Sequence, residues 1–226
     1  MSSNLHIISI RNLHKVYRMG EVDVPALRGV SLDVEAGEFV AVIGPSGSGK
    51  STLFHVLGAL TPATSGEVVI QGRNLAQMSE ADRTALRRGA VGFVFQRYNL
   101  LPTLTARDNI AIARHIAGKP LEPDAGFQKV IELLGIGHRL DHKPRAMSGG
   151  EQQRVAIARA IVNHPAILLA DEPTGNLDTR SAANVLEIMR NLNTELGQTI
   201  LMITHNPDAA AVADRIVHMR DGQVVL

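Results

Sequence analysis

The sequence contains no cysteine and no tryptophan, and aromatic residues make up only 3% of its 226 residues. Without cysteine the chain has no disulfide framework and no thiolate chemistry, which fits a reducing compartment. The scarcity of aromatic side chains argues against a surface on which nucleic-acid bases stack. A net charge of +1 gives no reason to expect a polyanion partner. We therefore expect no nucleic-acid partner.

Long apolar runs are also missing. No stretch approaches the roughly 18 continuous apolar residues that a membrane helix needs, and residues 1–6 lack the basic and apolar blocks of a secretory signal. If the protein serves a membrane, we expect it to do so from the aqueous side. The hydrophobic fraction of 45% and the charged fraction of 20% are typical of an ordinary globular domain.

Four short apolar runs are the main signal for the fold. Each is almost continuously apolar, as expected for a parallel strand that is buried on both faces. They occupy residues 39–43, 91–95, 166–170 and 199–203. Helical patterns lie between them, at residues 51–60, 152–162 and 179–196. This alternation predicts an α/β fold with a parallel central sheet.

Two further regions differ from this pattern. Residues 5–35 and 66–72 carry Val, Ile and Leu runs broken by glycine, and we expect a small antiparallel sheet there. The region from about 97 to 154 is rich in helix formers with proline and glycine breaks, which predicts an inserted helical lobe. We therefore predict a single domain over residues 1–226, with its core in residues 1–96 and 155–226.

Polar groups follow each of the four apolar runs. In chain order these are residues 44–47, Gln96, Asp171 with Glu172, and Thr204 with His205. Open α/β sheets bind their ligands just beyond the carboxyl ends of the strands. We expect these four segments to form one site.

The first of these segments carries a phosphate-binding pattern, G-x-x-x-x-G-K-[ST]. The loop that contains it, called here the P-loop, consists of Gly44, Pro45, Ser46, Gly47, Ser48, Gly49, Lys50, Ser51 and Thr52. The glycines let successive backbone N–H groups point at phosphate oxygens. Lys50 would reach the β- and γ-phosphates, and the Ser51 hydroxyl would bind Mg²⁺. The alternative is a chance match, but the loop also follows an apolar strand and opens a helix, and we predict ATP binding.

Asp171 and Glu172 supply two carboxylates at the end of the third run. Asp171 is placed to hold Mg²⁺ through its water. Glu172 is able to orient and deprotonate an attacking water. The alternative is that this acidic pair only caps the next element. Combined with the P-loop, the pair predicts ATP hydrolysis.

Residues 148–151, Ser148, Gly149, Gly150 and Glu151, allow two interpretations. Ser148 and Glu151 form the pattern of a capping box that opens the helix 152–162. The two glycines are not needed for a cap, and they would let a phosphate approach the N–H groups of the helix start. Because the P-loop already holds the phosphates of its own nucleotide, the second interpretation suggests a site that another chain completes.

Together these residues resemble the ATP-binding cassette (ABC) ATPases, from about Leu5 to the end of the chain. The resemblance is carried by the P-loop, Gln96, the signature 147–151, the Asp171–Glu172 pair, the loop 175–178 and His205. It implies two copies of the chain that meet head to tail and enclose two ATP molecules, each between the P-loop of one copy and residues 148–151 of the other.

The resemblance also implies roles for single residues. Tyr17 would stack on adenine, and Gln96 would contact Mg²⁺ and the attacking water. His205 would contact the γ-phosphate and fix that water, and Asp178 would contact the P-loop of the neighbouring copy. On residue type alone, Tyr17 would more often be a half-buried strand aromatic, Gln96 a hinge and His205 a structural histidine.

The signature departs from the commonest family form at two positions, since Met147 replaces leucine and Glu151 replaces glutamine. Methionine preserves the volume of leucine, and glutamate keeps the capping function. We expect activity to be retained, with a local change in charge near the γ-phosphate.

Within the family, segments of the chain resemble the lipoprotein-release and macrolide-export group. This implies an exporter or mechanotransmission-type system for lipoproteins, macrolides or peptides. The ATPase would lie on the cytoplasmic face of the inner membrane and drive an integral membrane permease through its coupling helix. The apolar residues 98–102, which follow Gln96, would be the contact; alternatively they are lobe core.

Soluble members of the family remain as alternatives. The chain lacks the long coiled-coil insert of a DNA-repair ATPase and the second cassette of a translation factor. A soluble ATPase, such as one for iron–sulfur assembly, or a cell-division ATPase that transports no substrate itself stays open.

Overall fold

Two sheets organise the protein in the computed structural model, which describes residues 6–120 and 124–225. The remaining parts of the predicted domain, residues 1–5, 121–123 and Leu226, lie outside the described residues. Strands and helices are numbered below in chain order, as β1–β10 and α1–α7.

The larger sheet has six strands among the described residues, in the order β10-β9-β3-β8-β7-β6. They are β3 (Phe39–Ile43), β6 (Val91–Val94), β7 (Ile167–Asp171), β8 (Thr199–Thr204), β9 (Arg215–Arg220) and β10 (Gln223–Val225). All neighbours pair in parallel except β9 and β10, which are antiparallel. The predicted α/β fold with a parallel central sheet is therefore confirmed, and the four apolar runs form β3, β6, β7 and β8.

Strands β9 and β10 were missed by the sequence analysis. In β9 only the alternate residues Val217 and Met219 are buried, so the strand does not read as an apolar run. A half-exposed strand near the edge of a parallel sheet carries the alternating pattern of an antiparallel one.

The smaller sheet is antiparallel, in the order β2-β1-β4-β5, and it confirms the expected second sheet. Its strands are β1 (Ile8–Met19), β2 (Val22–Val34), β4 (Ser65–Ile70) and β5 (Arg73–Asn74). The long pair β1–β2 is held in register from Ile8 opposite Val34 to Met19 opposite Val22, with irregularities in between.

The helices are α1 (Lys50–Leu57), α2 (Glu80–Gly89), α3 (Ala106–Ile116), α4 (Ala125–Leu134), α5 (Gly149–Ile161), α6 (Thr179–Leu196) and α7 (Pro207–Ala210). Helix α6 has the predicted bounds. Helix α1 ends before the predicted Leu60, because the N–H of Gly58 already closes the last turn on Phe54. Short 3₁₀ turns occupy Leu75–Gln77, Gly137–Arg139 and Pro144–Ala146.

Helix α5 begins at Gly149, three residues earlier than predicted, because Ser148 is its N-cap. It runs through the predicted boundary between lobe and core near residue 154, and it packs against α3, α4 and α6. The division of the chain into a core and a lobe stays a prediction.

The larger sheet separates two hydrophobic cores. Phe39 and Ala41 of β3 face one core, which α3–α6 cover, whereas Val40 and Val42 face the other, formed with β1, β2, β4 and α1. Because successive side chains of a strand point to opposite faces, a strand covered on both sides must be apolar throughout. Packing on both faces of the larger sheet therefore holds the ends of its strands in place.

No helix in the described ranges, 6–120 and 124–225, is long and apolar enough to cross a membrane.

A prediction concerns Asn193, which is 6% exposed and joins α6 to the start of the larger sheet. Its amide donates to the carbonyl oxygens of Gly37 at 2.7 Å and Gln198 at 3.0 Å. Asn193→Ala leaves both oxygens without this donor, and we expect a loss of about 2 kcal/mol in the free energy of unfolding, measured with urea. Glu195→Ala, at an exposed position of the same helix, should change it by less than about 0.5 kcal/mol. Equal losses of unfolding free energy in the two variants would contradict the role of Asn193 in joining α6 to the sheet.

Candidate functional site

The P-loop connects β3 to α1 at the carboxyl edge of the larger sheet. Gly47 and Gly49 have φ angles of 81° and 98°, a left-handed conformation that residues with a Cβ rarely adopt. Gly49 is the N-cap of α1, and no side chain caps that helix end. The first N–H groups of α1 are therefore available to an anion in front of the loop.

The back of the P-loop is held by the β9–β10 hairpin. A Cβ at Gly44 would collide with the carbonyl oxygen of Met219, and one at Gly49 would lie 2.5 Å from the carbonyl oxygen of Ala26. The N–H of Gly222 donates to the carbonyl oxygen of Ser48 at 3.1 Å. Backbone contacts from β2, β9 and the hairpin turn thus fix the loop, although none of them was expected from the sequence.

Lys50 is largely buried within the loop that it follows. Its ammonium donates to the carbonyl oxygens of Gly44 at 2.7 Å and Pro45 at 2.9 Å. Burial lowers the pKa of Lys50, while the carboxylates of Glu172 and Asp171 act in the opposite direction. The cation is thereby held at the front of the loop, between backbone oxygens and the acidic pair.

Asp171 is the last residue of β7 and Glu172 follows it directly. Burial raises the pKa of Asp171, and the neighbouring charge of Glu172 adds to the shift, whereas His55 and Lys50 oppose it. The shift from Glu172 has the sign expected for like charges, because a second negative charge disfavours ionisation of Asp171. Glu172 has a φ of 47°, and its N–H donates to the carbonyl oxygen of Ile203 at 2.9 Å, which turns the chain sharply at the strand end.

The Glu172 carboxylate is oriented by two side chains from the end of β8. Its Oε1 lies 2.8 Å from Nδ1 of His205, and its Oε2 accepts from the Thr204 hydroxyl at 3.3 Å. Thr204 is buried and also accepts from the N–H of Asn206. The positioning role of Thr204 was missed, although the sequence already showed a Thr-His pair at this strand end.

A cleft of about 700 Å³ lies in front of these groups. It is lined by Ala26, Pro45, Ser46, Gly47, Ser48, Gly49, Lys50, Ser51, Thr52, Gln96, Glu172, Ile203 and His205. The structure thus brings together the P-loop, Gln96, Glu172 and His205, as the sequence analysis expected. Among the described residues, no group of three His, Cys, Asp or Glu side chains could hold a metal ion.

Gln96 is tied to the loop after Glu172. Its carbonyl oxygen accepts from the side-chain amide of Asn176 at 2.9 Å. A Cβ at Gly175 would lie 2.8 Å from the Gln96 amide nitrogen, so the glutamine side chain packs directly over this glycine. A movement of Gln96 would therefore also displace the loop that leads to Asp178.

Four groups of predicted site residues do not line the cleft. Asp171, the last residue of β7, directly precedes Glu172 but is not part of the lining. The Tyr17 ring has the Lys15 ammonium 4.9 Å from its centroid, a cation–π contact within β1. Asp178 is exposed and caps α6, where it accepts from the N–H and hydroxyl of Ser181 at 2.9 Å and 2.6 Å. Residues 148–151 open helix α5 outside the cleft.

The start of α5 has the predicted capping box. Ser148 accepts from the N–H of Glu151 at 3.3 Å, and Glu151 accepts from the N–H of Ser148 at 2.8 Å. A Cβ at Gly149 would lie 2.7 Å from the Tyr98 hydroxyl, and one at Gly150 would lie 3.0 Å from the Ser181 hydroxyl. Close packing within the chain is therefore also a reason for the two glycines.

Comparison with known proteins agrees with the geometry. The family model for the ABC transporter matches residues 27–175. The lipoprotein-releasing system ATP-binding protein LolD 2 of Caulobacter vibrioides is 48% identical over 221 residues, which cover 97% of either chain. The macrolide export ATP-binding/permease protein MacB of Syntrophobacter fumaroxidans is 46% identical over 223 residues. The match covers 97% of this chain but only 31% of that MacB.

Among solved structures, a dimeric post-hydrolysis state of the ATP-binding cassette MJ0796, bound to ADP and Pi, superposes with a TM-score of 0.87. It is 38% identical, and the match covers 97% of both chains. These relatives confirm the resemblance to the lipoprotein-release and macrolide-export group. The chain therefore belongs to the ABC transporter family of ATP-binding ATPases.

Proposed function

We propose that this chain is the ATP-hydrolysing subunit of a transporter, and that two copies close around two ATP molecules to drive a separate membrane permease. The observation that carries the proposal is the junction of P-loop, Glu172 and His205 in one cleft. A phosphate-binding loop and an oriented carboxylate in the same cleft are the two parts that hydrolysis of a bound nucleotide requires.

The residues of the cleft fit ATP and Mg²⁺. The left-handed conformations at Gly47 and Gly49 let the loop present backbone N–H groups to phosphate oxygens. The Ser51 hydroxyl, the Gln96 amide and the Asp171 carboxylate are the oxygen donors that Mg²⁺ prefers. When bound, Mg²⁺ neutralises charge on the phosphates; this leaves the positioning of the nucleotide to the P-loop and Lys50.

Glu172 is the proposed general base. His205 and Thr204 each contact one oxygen of its carboxylate and hold it at the cleft where the attacking water would lie. Lys50 would exchange its carbonyl partners, Gly44 and Pro45, for phosphate oxygens when the nucleotide enters. His205 is 68% exposed at its side chain and free to contact the γ-phosphate.

Closure by a second copy is supported by the location of residues 148–151. Ser148 at this helix start is exposed, and none of the four residues lines the cleft of its own chain. We therefore propose that they, together with Asp178, complete the ATP site of the partner copy. The dimeric state of MJ0796 bound to ADP and Pi, 38% identical to this chain, supports a dimer. We keep the assignment of Tyr17 to adenine as part of this proposal.

A groove of about 370 Å³ beside Gln96 is the proposed contact for the coupling helix of the permease. Phe93 and Phe95 stack at its base with ring centroids 5.9 Å apart, and Leu101 and Ile116 are 41% and 54% exposed at its rim. Exposed apolar side chains around a concave surface are typical of a protein–protein contact. Asn99 and Leu101, from the segment 98–102 that was expected to contact the permease, line this groove.

The two relatives, a lipoprotein-releasing system and a macrolide export protein, favour an export or mechanotransmission role. We accordingly propose that the ATPase works at the cytoplasmic face of the inner membrane.

The first prediction of this proposal concerns Glu172→Gln. Loss of the general base should reduce ATP hydrolysis by about 10²–10⁴-fold. Because ATP then persists in the site, the variant should form a dimer in ATP and Mg²⁺, measured by size-exclusion chromatography with light scattering. A variant that stays monomeric at millimolar ATP would refute closure by two copies.

The second prediction concerns Lys50→Ala. Removing the ammonium from the phosphate site should weaken ATP binding or turnover by at least about tenfold. Binding is measured by titration with a fluorescent ATP analogue and turnover by phosphate release. Lys119→Ala is the matched control, because Lys119 also donates to a backbone carbonyl oxygen, that of Asn163, but far from the cleft. Wild-type hydrolysis in Lys50→Ala would count against the role of the P-loop.

The third prediction concerns the groove. Leu101→Asp adds a charge to the proposed contact, and we expect it to lower the stimulation of ATPase activity by the membrane subunit at least about fivefold. Basal ATPase activity of the isolated chain should stay within about twofold. Leu60→Asp is the control, since Leu60 is also exposed but lies outside the groove. The assay uses a membrane subunit that copurifies with the wild-type chain, reconstituted in nanodiscs, and equal stimulation of both variants would contradict the contact.

A further inference from the structure

Glu151, the unusual fifth residue of the signature, is enclosed by hydrogen-bond donors from its own chain. The side chain is only 13% exposed. One oxygen accepts from the backbone N–H of Ser148 at 2.8 Å, and the other accepts from Nε of Arg139 at 2.7 Å. Nε2 of His138 lies 3.9 Å from that second oxygen. The negative charge of Glu151, which we expected to lie near the γ-phosphate, therefore has a specific partner within the chain, Arg139.

Arg139 belongs to a different element from Glu151, so only the tertiary fold brings the two side chains together. Arg139 ends the 3₁₀ turn Gly137–Arg139, which packs beside the start of α5. Burial opposes ionisation of Glu151, but the Ser148 N–H and the Arg139 guanidinium outweigh it and hold the pKa of this carboxyl below its ordinary value. Glu151 is thus a carboxylate, and its charge is compensated by one arginine.

This charge matters because of its place on the helix. The first turn of α5 offers N–H groups whose partial positive charge favours an anion. An uncompensated carboxylate in that turn would repel a second anion such as phosphate. A guanidinium in contact with the carboxylate cancels most of this repulsion.

We propose that Arg139 is a positioning residue of the composite ATP site: it neutralises Glu151, so that the start of α5 keeps its attraction for the ATP held by the partner copy. The inference rests on the proposed function, namely that residues 148–151 face the nucleotide of a second chain. It adds Arg139 to the residues on which closure depends.

A simpler role is also consistent with the contact: Arg139 could only tie its 3₁₀ turn to α5. The two roles differ in what happens when Glu151 is replaced. If charge matters, glutamine at position 151 makes Arg139 dispensable, since glutamine keeps the capping box without the charge. If only the tie matters, Glu151→Gln and Arg139→Gln should be similarly harmful, and the double variant should be no better than either.

The test measures the ATP concentration that gives half-maximal dimer, in the Glu172→Gln background and with Mg²⁺, by light scattering. Arg139→Gln should raise this concentration about five- to tenfold, because each of two equivalent sites gains an uncompensated charge. Arg139→Lys, which keeps the charge, should stay within about threefold of the parent. Arg139→Gln combined with Glu151→Gln should return to within about twofold. Binding of a fluorescent ATP analogue to the monomer should not change in any of them.

Arg107→Gln is the matched control, because Arg107 forms a pair with Asp141 in the same part of the chain, away from the capping box. It should dimerise like the parent. The inference is overturned if Arg139→Gln dimerises like the parent, or if the double variant is as defective as Arg139→Gln alone. A parent that never dimerises with ATP refutes the proposed function itself, and the two failures are therefore distinguishable.

Discussion

The parallel register of β3, β8 and β7 is the constraint on which the site depends. Ile43 lies opposite Thr204, and Ile203 lies opposite Asp171. The P-loop, His205 and Glu172 follow these strands directly, so in-register pairing delivers all three to one edge of the sheet. A shift of one residue in either pair would turn the strand's core side chains to the opposite face. The hydrophobic cores on both faces therefore hold the catalytic geometry as well as the fold.

The second requirement is a rigid backing for the P-loop. The loop has to present N–H groups toward the cleft, and its own glycines leave it free to adopt many other conformations. Contacts with Met219, Gly222 and Ala26 restrict that freedom from behind. Because these contacts are made by backbone atoms, they depend on the hairpin being paired to β3 rather than on particular side chains.

Three acidic side chains of the proposed ATP site are each held by hydrogen bonds within their own chain. Glu172 is oriented by His205, Asp178 by Ser181, and Glu151 by Ser148 and Arg139. In each pair a local hydrogen bond fixes the acid within its own chain before any partner arrives. A composite site assembled from such prearranged halves loses less conformational freedom on closure than one built from free side chains.

The sequence by itself determined the parallel strands, helix α6, the P-loop and the family, because continuous apolar runs and fixed motif spacing are local signals. It also indicated that strand ends would gather Gln96, Glu172 and His205. Tertiary structure alone decided the β9–β10 hairpin, whose half-exposed residues carry no apolar run. The Arg139–Glu151 contact could not be predicted from the sequence either. Two charged residues twelve positions apart have no defined distance until the turn that carries Arg139 packs against the helix. Apolar runs and motif spacing can be read from the sequence. The pairing of charges and the backbone contacts behind a loop depend on which elements the fold brings side by side.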